Sequence, residues 1–166
     1  MSRFWTGAEK KRLEQADTLS ELADIALVIL GRMAEEKRKI VQICGPMTTG
    51  GFGNLDDNMK LFQYAIDVAS DRGLHVFNQL PFQDAMKRIV QWFPNQPYCQ
   101  AILDNFYRPI FGSGYVQRTL FLPNWKTSHG ASWEYGLVTE LGLVVQEYPV
   151  EWLTAARIVA VIGGHA

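Results

Sequence analysis

The chain has 166 residues, 48% of them hydrophobic and 20% charged, with a formal net charge of −1. That is enough for one domain with a real core, and it excludes a disordered or low-complexity protein. Basic clusters such as Lys10-Lys11-Arg12 are answered by nearby acids, so a surface that tracks polymeric nucleic acid is not expected.

The elements follow in chain order. Thr18-Leu-Ser-Glu21 is a capping-box sequence, and Leu19, Leu22, Ala26, Ile29, Leu30 and Met33 then recur at helical spacing until the charged run Glu35 to Lys39. Its most apolar part, Ala23 to Leu30, contains Asp24 and is far shorter than the roughly 20 residues of a bilayer span. Lys39 to Cys44 reads as a buried strand cut off by Gly45-Pro46. A Gly-rich loop, Thr48 to Asn54, leads to a second helix with Leu55, Met59, Phe62, Ile66 and Ala69 on one face. Asp56, Asp57 and Asn58 suit its beginning, and Asp71-Arg-Gly73 stops it. A short strand follows at His75 to Asn78. Helical periodicity returns at Phe82 with Met86, Ile89, Val90 and Phe93, is broken by Pro94 and Pro97, and resumes at Tyr98, Ile102 and Phe106. Arg118 to Leu122 is the third strand, 131–142 a helix, Leu143 to Glu147 a fourth strand, and Pro149 opens a last helix as its first residue.

Strands alternating with helices imply an α/β domain with a parallel sheet covered on both faces. Residues 1–38 read as an N-terminal helical extension, either covering the sheet or packing on another subunit, and 39–166 as one compact α/β domain. Cys44 and Cys99 fall in no Cys-x-x-Cys or Cys/His spacing, so neither a zinc site nor a disulfide framework is expected, and no cofactor is. With no signal-peptide layout at the start, the expectation is a cytoplasmic protein without a membrane partner.

Two loops carry the chemistry, Gly45 to Gly53 after the first strand and Asn124 to Gly130 after the third. The first is neither a P-loop nor a dinucleotide fingerprint, since no Lys-Ser/Thr follows its second glycine and Asp56 occupies the place of the last glycine. Its glycines either admit an anion to the backbone N–H groups or form a plain turn. In the second, Glu134 follows the loop by about one helical turn, beyond the carboxyl end of a strand, where open α/β sheets bind ligands. A first-turn glutamate is expected to stay ionised through the helix dipole, as a catalytic group or as a solvated acid complementing that dipole. Gly136 inside the helix suggests a close approach there. Cys44, Met33, Met59 and Met86 read as core.

A strand ending in Gly45-Pro-Met-Thr48, paired with Leu122-Pro-x-Trp125…Ser128-x-Gly-Ala-x-x-Glu134, resembles the nucleoside 2-deoxyribosyltransferase superfamily. The likeness is to its uncharacterised bacterial and phage branch, with 2'-deoxynucleoside 5'-phosphate N-hydrolases as relations, and it spans about residues 40–148. It implies a flavodoxin-like doubly wound sheet, a homo-oligomer, and cleavage or exchange of the N-glycosidic bond of a nucleoside or nucleotide. The superfamily's nucleophilic glutamate falls on Glu134. Ser128 stands where the nucleotide hydrolases bind phosphate and the free-nucleoside transferases carry an aspartate; it is equally a plain helix cap. Gly45, Pro46, Met47 and Thr48 fall on the loop lining sugar and base. Gln117 takes the place of an aspartate that helps position or protonate the base, and glutamine cannot deliver a proton.

Four further residues are candidates beside these. His129 is either a proton donor to the leaving base or surface, and Trp125 either a stacking platform or a plug of the sheet end. Asn78 reaches the pocket or closes a turn, and Gly130 belongs to the loop before Glu134. A non-catalytic nucleotide-binding or assembly module on the same fold is the competing expectation. A phosphoribohydrolase of the cytokinin-activating type fits worst, because Pro123 and Glu134 lie further apart than its motif requires.

Overall fold

A computed structural model describes residues 1–47, 50–91 and 98–163. Of the residues singled out above, Thr48, Phe93, Pro94 and Pro97 lie outside the described residues.

The chain begins with α1 (Gly7–Gln15), a helix that hydrophobic periodicity does not announce. Its signal is the Thr6-x-x-Glu9 capping pattern, in which the Thr6 N–H donates to Glu9 Oε2 at 3.0 Å. In α2 (Leu19–Ala34) the expected capping box forms. The Glu21 N–H donates to Thr18 Oγ1 at 3.1 Å, and the Thr18 N–H donates back to Glu21 Oε2 at 2.9 Å. Four of its large apolar residues, Leu22, Ile25, Ile29 and Leu30, are fully buried, each contributing about 2 kcal/mol. The two N-terminal helices are joined by Arg32, whose guanidinium makes a forked pair with Glu9 (2.6 and 2.9 Å) and donates to the Phe4 carbonyl.

The sheet is built from β1 (Ile40–Cys44), β2 (His75–Phe77), β3 (Val116–Phe121) and β4 (Val144–Glu147), all parallel, in the order β2-β1-β3-β4. The architecture is the expected α/β one, a parallel sheet flanked by helices as in flavodoxin-like doubly wound folds. Alternation along β1 splits the core in two. Ile40 and Cys44 face α1, α2, α4 (Gln83–Val90) and α7 (His129–Glu140), whereas Val41 and Ile43 face α3 (Leu55–Asp71) and α8 (Ala155–Ile162). Residues 1–38 therefore cover one face of their own chain's sheet, the first of the two placements the sequence left open. Among the described residues no helix is long and apolar enough to cross a membrane.

Two segments depart from expectation. Pro149 does not open the last helix: a 3-10 turn at Val150–Trp152 comes first, and α8 starts only at Ala155. The helix around Phe106 is interrupted, with α5 (Tyr98–Ile102) and α6 (Arg108–Gly112) flanking a π-helical turn, Leu103–Tyr107. There the Arg108 N–H donates to the Leu103 carbonyl five residues back. Pro109, next in line, has no N–H to continue an α-helical ladder. Such turns often mark functional sites.

Candidate functional site

The strand order places a switch point between β1 and β3. The chain leaves β1 toward β2 on one side and leaves β3 toward β4 on the other, so the loops beyond Cys44 and Phe121 diverge and leave a crevice. A cleft of about 60 Å³ opens there, room for a few water molecules. Gly45 and Met47 come to it from β1, Gln83 and Met86 from α4, Leu103 and Tyr107 from the π turn, and Ser128, Gly130 and Glu134 from the start of α7.

Helix α7 begins at His129, two residues earlier than the pattern predicts, with Ser128 as its cap: Ser128 Oγ accepts from the Ala131 N–H at 3.3 Å. Glu134 is consequently in the second turn, and two expectations fail with it. It is not a solvated first-turn acid, because its side chain is turned into the fold and only 6% exposed. Nor does the helix dipole keep it ionised, since that effect fades beyond the first turn. Burial instead pushes the carboxyl up from 4.5 to about 8, opposed by a hydrogen bond with Cys44. At neutral pH the unliganded protein holds Glu134 mostly protonated. Cys44, fully buried as the last residue of β1, has its own thiol held well above the ordinary range by burial, by the Glu134 charge and by their hydrogen bond. It is therefore a protonated donor rather than a thiolate.

Several other predicted residues also gather here. Met47 lies against Gln83, whose Nε2 sits 3.4 Å from Met47 Sδ and 3.8 Å from Met86 Sδ, weak acceptors both. Gly130 and Ser128 line the wall beside Glu134. His129 is exposed at the helix start. Pro46 borders a separate hollow on the α3 side, with Asn58 and Leu122.

The remaining predicted residues do not join the cleft. Gln117 is exposed near the amino end of β3, at the opposite end of the strand from Leu122, so the catalytic position expected for it is not formed within this chain. Asn78 closes a turn, its Oδ1 accepting from the Leu80 N–H at 2.9 Å. Trp125 stacks on Tyr135 (centroids 4.4 Å apart, planes at 13°) and touches Phe121, which makes it a plug over the end of β3. Gly136 has nothing within 4 Å of where a Cβ would stand, so no close approach explains it.

The Gly-rich loop uses its glycines for packing. Gly50 (φ 70°) and Gly51 (φ 59°) adopt left-handed backbone. A Cβ on Gly50 would lie 2.5 Å from the Thr127 backbone, and one on Gly51 would lie 2.4 Å from Asn58 Oδ1. Asn58, buried in the first turn of α3, donates Nδ2 to the Met47 and Gly50 carbonyls (2.8 and 3.1 Å) and accepts from the Phe52 N–H at 2.9 Å. Thr127 Oγ1 accepts from the Gly51 N–H at 2.9 Å. The two loops of the crevice are thus clasped together.

Sequence reasoning missed Cys44 as the partner of Glu134, the Asn58–Thr127 clasp, and the wall formed by Gln83, Leu103 and Tyr107. Cys44 had a signal, since it ends a strand directly before the loop; the π turn had Pro109. Compared with protein-family models, curated proteins and solved structures, the chain matches none.

Proposed function

We propose that this protein cleaves or transfers the N-glycosidic bond of a (deoxy)nucleoside or nucleoside 5'-phosphate, with Glu134 as the nucleophile. The observation that carries the reading is the Glu134 carboxyl itself: buried, at the switch point of the sheet, facing a cleft whose lining also brings the polar side chains of Ser128, Gln83 and Tyr107. The resemblance of Gly45-Pro-Met-Thr48 and Leu122…Glu134 to the deoxyribosyltransferase superfamily supplies the reaction class. It also supplies the phosphate role for Ser128 and the homo-oligomer.

In the reaction a Glu134 oxygen bonds to the anomeric carbon as the C–N bond breaks, through an oxocarbenium-like state. The bonding pair leaves with the base, which takes a proton from water. Water or a second base then attacks the anomeric carbon and releases the carboxylate. Only ionised Glu134 can begin this, and with its proton held to about 8, about a tenth of the molecules are ready at pH 7. A nucleoside also exceeds the cleft as it stands. Its entry requires the lining side chains to yield, and the thioethers of Met47 and Met86 in that lining are flexible enough to repack.

The test is release of free base from a panel of deoxynucleosides and their 5'-phosphates, across about pH 5 to 8.5, with Glu134→Gln as control. Release that rises with pH and is lost in the control supports the reading. Release that persists in the control, or that is absent for every substrate, overturns it. The neutral, thiol-bonded state of Glu134 favours the second reading, a non-catalytic nucleotide-binding module; binding by both forms without release would establish that one.

A further inference from the structure

We infer that the free edge of β4 docks a second copy of this chain, the two strands pairing antiparallel so that the sheets continue across a two-fold axis. β4 ends the strand order and pairs only with β3. The Tyr148 N–H donates to the Phe121 carbonyl at 2.8 Å. Successive residues of a strand turn their backbone groups to opposite sides, so Val144 and Gln146 also face β3, whereas Val145 and Glu147 turn theirs outward. Among the described residues no strand pairs with that side. Proteins blunt such edges with proline, lysine, a bulge or a very short strand. The opposite edge follows this rule, since β2 has only three residues. β4 carries neither proline nor lysine and shows no register shift against β3, and the apolar side chains of Val144 within it and Leu141 before it are 50% and 44% exposed.

The surroundings of this edge fit the same edge turned round. At its carboxyl end a hollow of about 280 Å³ lies between the strand and the stacked rings of Trp125 and Tyr135, lined also by Lys126 and Glu147. Before its amino end, where α7 finishes, Glu140 and Leu141 are both exposed. A two-fold axis perpendicular to the sheet near Val145 reverses the strand and keeps the α7 sides of the two copies together. It carries the Leu141 of one copy to the aromatic hollow of the other, and Glu140 to the other's Lys126. Neither Lys126 nor Glu140 is in an ion pair among the described residues, and the Lys126 ammonium stands 5.5 Å from the Trp125 ring. In such an isologous contact each interaction occurs twice. An unrelated strand would use the backbone of the edge alone; only a rotated copy uses the backbone, the hollow and the opposite charges at the two ends together.

This interface does not rest on the glycosidic reading, and it is tested without turnover. Sedimentation velocity and light scattering of the unaltered chain should give twice the 18.8 kDa of a single copy. Val145→Pro removes an outward N–H and spares the bonds to β3, so it should yield a monomer with an unchanged circular dichroism spectrum. Lys126→Glu and Glu140→Lys should each raise the dimer dissociation constant about tenfold, because the contact is made twice. Both changes in one chain should restore it, since the charges then meet in reverse. A chain that is monomeric at every concentration, a dimer indifferent to all the variants, or a double variant no tighter than the single ones would overturn the inference. The charge reversals keep the test decisive if the proline variant does not fold. Dimerisation without base release would reject the enzymatic reading alone, and base release by a monomer would reject this interface alone.

Discussion

Replacing Glu134 with glutamine should stabilise this protein, by an amount that grows with pH. In the unfolded chain the carboxyl loses its proton near 4.5, whereas the fold holds it to about 8. Across that window the folded state binds more protons than the unfolded one, so the fold loses stability as pH rises through it. Below about pH 4.5 both states are protonated and the cost vanishes; above about 8 both are ionised and it levels off. At about 1.4 kcal/mol per pH unit the whole interval corresponds to ~5 kcal/mol, of which ~3 kcal/mol has accrued at pH 7. Glutamine keeps the shape, accepts from the Cys44 thiol and never ionises. Its advantage should therefore climb from under ~1 kcal/mol near pH 5 to ~3 kcal/mol near pH 7, the latter a rise of roughly 5–10 °C in Tm. Urea unfolding of both proteins at a series of pH values measures this directly. A difference that stays flat between about pH 5 and 8 would refute the reasoning, because it would mean that the folded protein leaves Glu134 hydrated and ionised. The predicted sign is that of a functional group kept at the expense of stability.

Three more expectations concern the loops and the N-terminal helices. Alanine should act oppositely at two glycines: Gly136→Ala, in open space on α7, should stabilise by ~1 kcal/mol. Gly50→Ala, at positive φ and 2.5 Å from the Thr127 backbone, should destabilise by more than ~1 kcal/mol, both read by thermal unfolding. Ser128→Ala should cost ~1 kcal/mol through loss of the cap, while Ser128→Asp should keep the cap and, on the proposed function, turn preference from 5'-phosphates toward free nucleosides in a competition assay. Glu9, held down to about 2 chiefly by the Arg32 hydrogen bond and next by Thr6, contributes stability that is fully present above about pH 4.5 and lost as pH falls toward 2. Glu9→Gln should remove that part of the acid-induced loss, followed by circular dichroism on acid titration.

Much of the fold was legible because the signals that specify it are local. The Thr18–Glu21 capping box, the one-sided apolar faces of α2 and α3, the stop at Gly73 and the mostly apolar run of β1 all lie within a turn or two of the residues they govern. Parallel pairing followed from the alternation of strands and helices. The misreadings at Glu134, Pro149 and Gly136 have different origins. A helix start is defined to within a residue or two by pattern, and a shift of two residues moved Glu134 out of reach of the helix dipole. At Gly136 propensity suggested an intruding group that the packing does not contain.

The amino-acid sequence by itself determined the α/β class, the two crevice loops and the identity of Glu134 as the residue to explain, since each of these depends on neighbours close in the chain. Tertiary structure alone decided the state of that residue. Cys44, Gln83, Tyr107 and Glu134 come together only when the sheet is assembled and α4, the π turn and α7 close over one end of it. Whether a carboxyl is charged depends on how much water and which donors surround it. Those surroundings are supplied by residues distant in sequence, which no pattern around position 134 records.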